Sequence, residues 1–304
     1  GKGSKSNSEK GQKVVRTRNL ALANKSLGQN FLKNPMIVQN IVDKASIKST
    51  DVVLEIGPGT GNLTVHLLER AKKVIAVEFD TRMIRELNKR VEGSSHQKKL
   101  EIIHGDVLKI ALPFFDVLVA NVPYNISSPL LFKLLIHRPM YRCAVIMFQE
   151  EFAVRLTAKP GEEMYCRLGV NANLLAKVNQ LMKVGRNNFR PPPKVDSRVV
   201  RIELKNPPPP INFNEWDGLV RLIFTRKNKT LRSVLNNKAT IKVMEQNMKT
   251  YNSLQNSGAE QMEIDSKSIK EIIDRVLSEE KFEGKRASKM DQDDFLSLLA
   301  AFNA

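Results

Sequence analysis

Glycine residues in the first third of the chain have the spacing of a nucleotide-binding turn. The segment EIGPGTG at 55–61 follows an apolar run and precedes a helical pattern, which is where a parallel α/β sheet binds nucleotides. Glycines let the backbone approach a ligand closely. The dinucleotide pattern GxGxxG would require glycine at position 62, where this chain has Asn62. The spacing GxGxG, with Glu55 before it, favours S-adenosylmethionine, which has no pyrophosphate to bind.

Carboxylates end the next two apolar runs and could complete such a site. Glu78 lies 21 residues after Gly57, as expected of a group that accepts hydrogen bonds from ribose hydroxyls, and Asp106 could accept one from an adenine amino group. Either acid could instead be a helix N-cap or a solvated strand end. We favour a cofactor cleft, with these candidate contacts: Glu55, Gly57, Gly59, Gly61, Glu78, Asp106 and Asn121.

The segment NVPYNIS at 121–127 has the chemistry needed to present an adenine amino group. The lone pair of that nitrogen is delocalised into the ring. For the nitrogen to accept a methyl group, hydrogen-bond acceptors must therefore draw the lone pair out of conjugation. The Asn121 side-chain carbonyl and the Val122 backbone carbonyl can accept the two N–H bonds, while Pro123 stiffens the turn. Asparagine has no useful proton affinity, so this is positioning and electrostatics and not base catalysis.

Aromatic residues near this segment could hold a base removed from its stack. Tyr124 offers a flat face, and such stacking contributes ~1–3 kcal/mol. Phe189, which precedes the turn RPPPK at 190–194, is a second candidate face. Tyr124 could instead belong to an ordinary structural turn, and Phe189 could simply pack against the proline-rich turn.

The surrounding patterns predict the elements that position these residues. Short β-branched runs alternate with helical stretches, which is typical of a doubly wound α/β sheet of Rossmann-like type. These runs lie at 52–57, 73–80, 100–106, 115–123 and 143–151, and a hairpin is predicted from 178–189 and 197–204. The prolines at 207–210 favour a domain boundary. We therefore predict a disordered basic tail at 1–18, a methyltransferase domain at 19–206 and a smaller helical domain at 207–304, with the tract 241–267 as a loop or weak helix.

Positive charge is concentrated in two segments. The formal net charge is +17, and it divides into +8 for residues 1–50, +3 for 51–180, +9 for 181–240 and −3 for 241–304. Clustered Lys and Arg beside a nearly neutral cleft segment favour binding of structured RNA through its phosphates. A solvated helix face is the alternative. The candidate phosphate contacts are Arg190, Lys194, Arg226, Lys227, Lys229 and Arg232, three of which have helical spacing.

Other features limit the class of protein. Cys143 and Cys166 cannot form a disulfide framework and have no zinc-site spacing, so we expect a reducing compartment and no metal. No apolar run is long enough to span a bilayer, and no secretory signal is recognisable, so we expect an intracellular protein without membrane contact.

Together these motifs resemble the dimethyladenosine transferases that modify small-subunit ribosomal RNA. The resemblance runs from about residue 24 to residue 235 and also includes KSLGQNFL at 25–32, FQEEFAVRL at 148–156, FRPPPKVDS at 189–197 and FTRKNKTLRSVL at 224–235. Asn228 interrupts the basic run of the last motif. The resemblance implies dimethylation of N6 on two adjacent adenosines near the 3′ end of that RNA. It also implies cofactor contacts by Gln29, Asn30 and Leu32, where the residues alone indicate only the start of an amphipathic helix.

Two other functions remain open at this point. One is methylation of a large-subunit RNA adenine, as in antibiotic-resistance relatives, and the other is a binding-only role as an assembly or transcription factor. For the compartment we expect the nucleus and nucleolus, with the cytoplasm or an organelle as alternatives. We expect a monomer acting on small-subunit RNA or its precursor particle.

Overall fold

The computed structural model describes residues 28–255 and 265–304. Its strands are β1 (Phe31–Leu32), β2 (Val52–Ile56), β3 (Lys73–Glu78), β4 (Leu100–His104), β5 (Val117–Asn121), β6 (Cys143–Gln149), β7 (Ala176–Val184), β8 (Phe189–Arg190) and β9 (Ser197–Leu204). Its helices are α1 (Pro35–Ala45), α2 (Thr64–Arg70), α3 (Thr81–Val91), α4 (Ser127–Leu135), α5 (Glu150–Thr157), α6 (Arg167–Leu175), α7 (Phe213–Ile223), α8 (Leu231–Leu235), α9 (Lys238–Gln255), α10 (Ser266–Leu277) and α11 (Gln292–Asn303).

A seven-stranded sheet organises the first two thirds of the chain. Its strand order is β4-β3-β2-β5-β6-β9-β7, and the pairings from β4 to β6 are parallel. The chain builds outward from β2 to β4 and then returns to place β5 on the other side of β2. That reversal opens a crevice at the carboxyl ends of the strands, where ligands of such sheets bind. The predicted doubly wound α/β fold is confirmed.

The predicted hairpin forms the far side of the sheet. Strands β7 and β9 pair antiparallel, and β9 also pairs antiparallel with β6. Strand β8 lies at the start of the proline-rich turn that precedes β9, and it pairs with β1 in a separate two-stranded sheet. The chain around Phe189 is thereby brought next to residues near the start of the described chain.

Alternate residues of the central strands pack into two different cores. Leu54 and Leu118 share one core with the apolar side chains of α4 and α5, whereas Val53 and Val119 share the other with those of α1 and α2. All four side chains are fully buried. Burying a side chain of this size contributes about 1.5–3 kcal/mol, so both faces of the sheet are firmly covered. The strand ends that carry the polar residues are therefore held rigidly in place.

The helices after β9 form a third apolar core together with α6. Trp216 of α7 is fully buried there, and its indole Nε1 donates to Asn171 Oδ1 of α6 at 3.0 Å. Apolar residues before the prolines also join this core, among them Tyr165, Val170 and Leu174. The helical C-terminal part is present as predicted, while the exact boundary at 207 stays a prediction.

Some sequence-based expectations need amendment or fall outside the described residues. The tract 241–267 was predicted as a loop or weak helix, and α9 covers it as far as Gln255. Residues 256–264 and the predicted tail at 1–18 lie outside the described residues. Among the helices that the structure describes, none is long and apolar enough to cross a membrane.

Candidate active site

The polar strand ends meet in one cleft of about 240 Å³ at the carboxyl edge of the sheet. The turn after β2 forms one wall of the cleft. Glu78 of β3, Asp106 after β4 and Asn121 of β5 lie beside this turn and also line the cleft. Most of the predicted site residues border this cleft: Gln29, Asn30, Leu32, Gly57, Gly59, Glu78, Asp106, Asn121, Val122, Pro123, Tyr124 and Phe189. The parallel register explains this, because successive strands end at the same edge.

The glycine turn is shaped by conformations that other residues rarely adopt. Gly57 and Gly59 have φ values of 68° and 55°, in the left-handed region. A Cβ atom at Gly59 would lie 3.0 Å from the Phe31 ring, and one at Gly57 would lie 3.6 Å from the Asn121 carbonyl oxygen. The turn therefore approaches both β1 and the end of β5 closely.

Gly61 has a packing role in place of the predicted cofactor contact. It does not border the cleft, and a Cβ atom there would lie 2.7 Å from Leu87 Cδ1 of α3. Its φ of 82° is also in the left-handed region. The third glycine of the motif thus lets the turn pack on a helix.

Glu55 also lies away from the cleft, contrary to its prediction as a cofactor contact. Its side chain is 1% exposed within β2, where it is enclosed beside the Thr64 side chain of α2 and does not border the cleft. Burial raises the pKa of the Glu55 carboxyl to about 8, so the group is largely protonated at neutral pH. Glu55 is therefore a buried acid behind the glycine turn and does not border the cleft.

Glu78 is held by the backbone around it and still faces the cleft. Its Oε1 accepts from the amides of Phe79 and Asp80 at 2.9 Å, and its Oε2 accepts from the Gly59 amide at 3.2 Å. Burial raises the pKa of Glu78. The carboxylate thus joins the end of β3 to the glycine turn, and Oε2 keeps capacity to accept a ligand hydroxyl.

Asp106 makes the turn contact that was one of its two predicted functions, and it also borders the cleft. It borders the cleft, and its Oδ1 accepts from the backbone amide of Leu108 at 3.0 Å, which caps the following turn. Its side chain is 33% exposed. The turn contact fixes one oxygen and leaves the other, Oδ2, toward solvent and Lys109 at 3.9 Å.

Asn121 and Tyr124 are both oriented by contacts from distant parts of the chain. Asn121 Nδ2 donates to the Asn30 backbone carbonyl at 3.2 Å, so its Oδ1 is the acceptor that remains. The Tyr124 hydroxyl shares a hydrogen bond of 2.8 Å with Ser197 Oγ of β9. Phe189 borders the same cleft but is only 2% exposed, so it forms wall more than open face.

The residues of GQNFL form a strap across the cleft, where the sequence indicated only a helix start. Gln29 donates to Asp80 Oδ2 at 3.0 Å, and Asn62 donates to the Leu32 carbonyl at 2.6 Å. The strand β1 within this strap pairs with β8, while the helix itself begins only at Pro35. The strap therefore connects the cofactor side of the cleft with Asn121.

Residues missed by the sequence reasoning also border the cleft. Phe79 is 58% exposed there although it is a large apolar side chain, directly after Glu78. An exposed aromatic ring beside a carboxylate that borders the cleft is suited to lie against a base. Its position immediately after the acid that ends β3 was a visible indication. Asn62 and Phe31 had no such local indication.

The predicted phosphate contacts do not form one helical stripe. Arg226, Lys229 and Arg232 fall in a 3₁₀ turn, a loop and α8, so the predicted helical face is wrong. Arg232 pairs with Asp274 at 2.8 Å. Lys227 Nζ donates to the Glu163 and Tyr165 carbonyls at 2.8 and 2.9 Å, which is a structural tie. Arg190, Lys194, Arg226 and Lys229 are exposed.

No group of side chains suited to hold a metal ion occurs in residues 28–255 and 265–304. Polar contacts in the cleft come from carboxylates, amides and backbone groups that suit an organic ligand. The glycine turn, the acid ending β3 and the switch-point cleft together define an α/β methyltransferase.

The chain belongs to the ribosomal RNA adenine dimethylase family, whose family model matches residues 21–279. It is 58% identical over 281 residues to a probable dimethyladenosine transferase of Drosophila melanogaster. The aligned region covers 92% of this chain and 90% of that protein. It is 51% identical over 317 residues to a ribosomal RNA small subunit methyltransferase of Arabidopsis thaliana, with 92% and 90% covered. A crystal structure of a dimethyladenosine transferase from Plasmodium falciparum superimposes with a TM-score of 0.79 at 46% identity, covering 90% of this chain and 97% of that one.

Proposed function

We propose that this enzyme transfers two methyl groups from S-adenosylmethionine to N6 of each of two adjacent adenosines near the 3′ end of small-subunit ribosomal RNA. The hydrogen bond from Asn121 Nδ2 to the Asn30 carbonyl carries the proposal, because it leaves the amide oxygen as an acceptor in the cleft. An adenine amino group has N–H bonds to donate to such an acceptor. The same cleft presents Glu78 and the glycine turn to a nucleoside.

The residues on the cofactor side fit S-adenosylmethionine. Gly57 and Gly59 keep the turn beside the cleft free of side chains, and at Gly59 a Cβ would lie 3.0 Å from the Phe31 ring. Glu78 Oε2 would accept from the ribose, the exposed ring of Phe79 would lie against the adenine, and Asp106 would accept from its amino group. When bound, the cofactor supplies an electrophilic methyl group.

The residues on the target side position the nucleophilic nitrogen. Asn121 Oδ1 and the Val122 carbonyl accept hydrogen bonds from the N6–H groups, which shifts the nitrogen lone pair out of the ring. The Tyr124 ring holds the base that has left its stack. Because an amide cannot take a proton at neutral pH, the proton lost after each transfer goes to solvent. Asn121 thus acts through position and electrostatics.

The preference for small-subunit RNA is supported by a relative and by charge. A relative that is 51% identical is described as a small-subunit methyltransferase. In this chain the net charge is +8 for residues 1–50 and +9 for residues 181–240, on either side of the nearly neutral segment with the cleft motifs. The exposed Arg190 immediately follows Phe189 at the cleft, and the exposed Lys194 lies four residues further on. Phosphate contacts there would hold a folded RNA beside the active site.

We place the protein as a monomer in the nucleus and nucleolus, acting on the precursor of the small subunit. Sedimentation of the purified protein tests the first point, and imaging of a tagged full-length chain tests the second.

The direct test of substrate class is methyl transfer from tritiated S-adenosylmethionine to isolated small-subunit and large-subunit particles. We expect tritium only in small-subunit RNA. Incorporation into large-subunit RNA would favour the resistance-type activity, and no incorporation into either would favour a binding-only role. Either result contradicts the proposal.

A further inference from the structure

The contact between Tyr124 and Ser197 joins the target side of the cleft to the interior of the sheet. The Tyr124 hydroxyl and Ser197 Oγ are 2.8 Å apart, although the residues are 73 positions apart in sequence. Tyr124 lies in a 3₁₀ turn after β5 and borders the cleft. Ser197 is fully buried at the start of β9. The cleft residue is thus tied at its far end to a buried strand.

Ser197 is itself held rigidly by strands on both sides. It is paired with Gln149 of β6 and with Val184 of β7. A serine so enclosed has little freedom to move, whereas a tyrosine in a short turn can rotate about its side-chain torsions. The hydroxyl is the atom farthest from the Tyr124 backbone, so a bond at that atom restricts rotation about χ1 and fixes where the ring lies. The oxygen lies on the χ2 axis, so the tilt of the ring is restrained only through the preference of a phenol for hydrogen bonds near its ring plane.

Burial also keeps this contact intact at neutral pH. Burial raises the pKa of the Tyr124 phenol, so the hydroxyl retains its proton and can share it with Ser197. The hydrogen bond uses the edge of the ring. Its face remains available to the cleft.

We propose that Ser197 is a positioning residue that holds the Tyr124 ring at the place where it stacks on the target adenine. The inference rests on the proposed function, because it assigns Tyr124 to the extruded base. Its consequence is kinetic. Most RNA affinity comes from phosphates, so loss of ring position lowers the fraction of bound adenines that are aligned for transfer more than it lowers binding.

Single-turnover methylation with Ser197→Ala and Tyr124→Phe tests this role, since each variant removes one partner of the same bond. We expect each to lower the rate about tenfold, in line with the net contribution of one hydrogen bond plus an unpaired partner. The KM for S-adenosylmethionine and the affinity for RNA stay within twofold. The double variant is no slower than either single variant, because both act through one contact.

Tyr141→Phe is the matched control. Tyr141 is buried, and its hydroxyl has no hydrogen-bond partner among the described residues. The same chemical change there leaves the methylation rate unaltered. If Ser197→Ala fails to fold, Tyr124→Phe alone carries the test, because it leaves β9 untouched.

The outcomes separate this inference from the proposed function. A wild-type protein that does not methylate small-subunit RNA overturns the proposed function. Active wild-type protein with Ser197→Ala and Tyr124→Phe rates within twofold of it overturns the positioning role, as does a double variant whose losses multiply. A fall in melting temperature without a fall in rate would make the contact purely structural and also overturn the inference.

Discussion

Asn121 Nδ2 donates to the backbone carbonyl of Asn30 at 3.2 Å, across 91 positions of sequence. The bond selects which atom of the Asn121 amide faces the cleft, because the nitrogen is engaged and the oxygen remains to accept. It also links the proposed target site to the strap that closes the cofactor side. Orientation of the Asn121 amide and attachment of the strap to the end of β5 are therefore one structural feature.

Substitutions of Asn121 should separate the two functions of its amide. Asn121→Ala removes both the acceptor and the bond to Asn30, and we expect about a 100-fold or greater loss of single-turnover rate. Asn121→Asp keeps an acceptor but cannot donate to the Asn30 carbonyl, so we expect a smaller loss of about tenfold. Single-turnover assays of folded variants measure both. Asn214→Asp, at an exposed position of α7, is the control. A near-normal rate for Asn121→Ala would exclude the assigned role.

A pair of glycine substitutions should distinguish cofactor binding from backbone strain. Gly59→Ala forces a side chain into the left-handed region and within 3.0 Å of the Phe31 ring, so we expect at least a tenfold loss of affinity for S-adenosylmethionine. Gly93→Ala suffers the same strain, roughly 1–2 kcal/mol, but nothing lies within 4 Å of the new Cβ. It should lower the melting temperature without changing affinity. Titration calorimetry and thermal melts measure both effects, and equal affinity losses would refute the distinction.

Buried Glu55 should make the stability of the protein depend on pH. The pKa of its carboxyl is about 8 in the folded protein against an ordinary value of 4.5. Between these pH values the folded state holds a proton that the unfolded state has released. Its contribution to stability therefore falls as pH rises from about 4.5 to 8.

Glu55→Gln removes this proton equilibrium while keeping the shape of the side chain. We expect the variant to gain stability over wild type as pH rises from 5 to 8. The gain should be at least about 1 kcal/mol, because one unit of pKa shift corresponds to about 1.4 kcal/mol. Urea unfolding at several pH values measures it. Glu92→Gln, at an exposed position, should show no such trend. A constant difference between Glu55→Gln and wild type would contradict the protonated state.

The basic residues after the proline segment should divide into two groups. Arg226→Ala and Lys229→Ala remove exposed charges, so each should weaken RNA binding and reduce the slope of log affinity against log salt by about 1. Lys227→Met removes the donor to the Glu163 and Tyr165 carbonyls, so it should lower the melting temperature and leave the salt slope nearly unchanged. Filter binding at several salt concentrations measures the slopes. An unchanged slope for both exposed variants would remove these residues from the RNA interface.

The sequence carried enough information to predict the sheet and most of the cleft. Apolar runs marked the strands, and Glu78, Asp106 and Asn121 stood where those strands ended, so parallel pairing alone brings them together. The contacts that orient these groups were not predictable. Bonds such as Asn30 with Asn121 join residues from separate elements, and no local spacing encodes them.

The errors had a related origin. Glu55 and Gly61 belong to the same short motif as Gly57 and Gly59, and a motif does not indicate which members contact the ligand and which support the turn. The structure separates them by burial and by the close approach of Leu87 to Gly61. The predicted helical face of the basic residues failed because the chain from Phe224 to Leu235 is divided between a 3₁₀ turn, a loop and α8.

Mass mapping of the methylated nucleosides tests the central claim most directly. Small-subunit precursor particles lacking the modification are incubated with the protein and isotopically labelled S-adenosylmethionine, and the RNA is then digested and sequenced by mass spectrometry. We expect labelled N6,N6-dimethyladenosine at two adjacent positions near the 3′ end, and none with Asn121→Ala. Label at another base, label at another atom of adenine, or equal label with Asn121→Ala would contradict it.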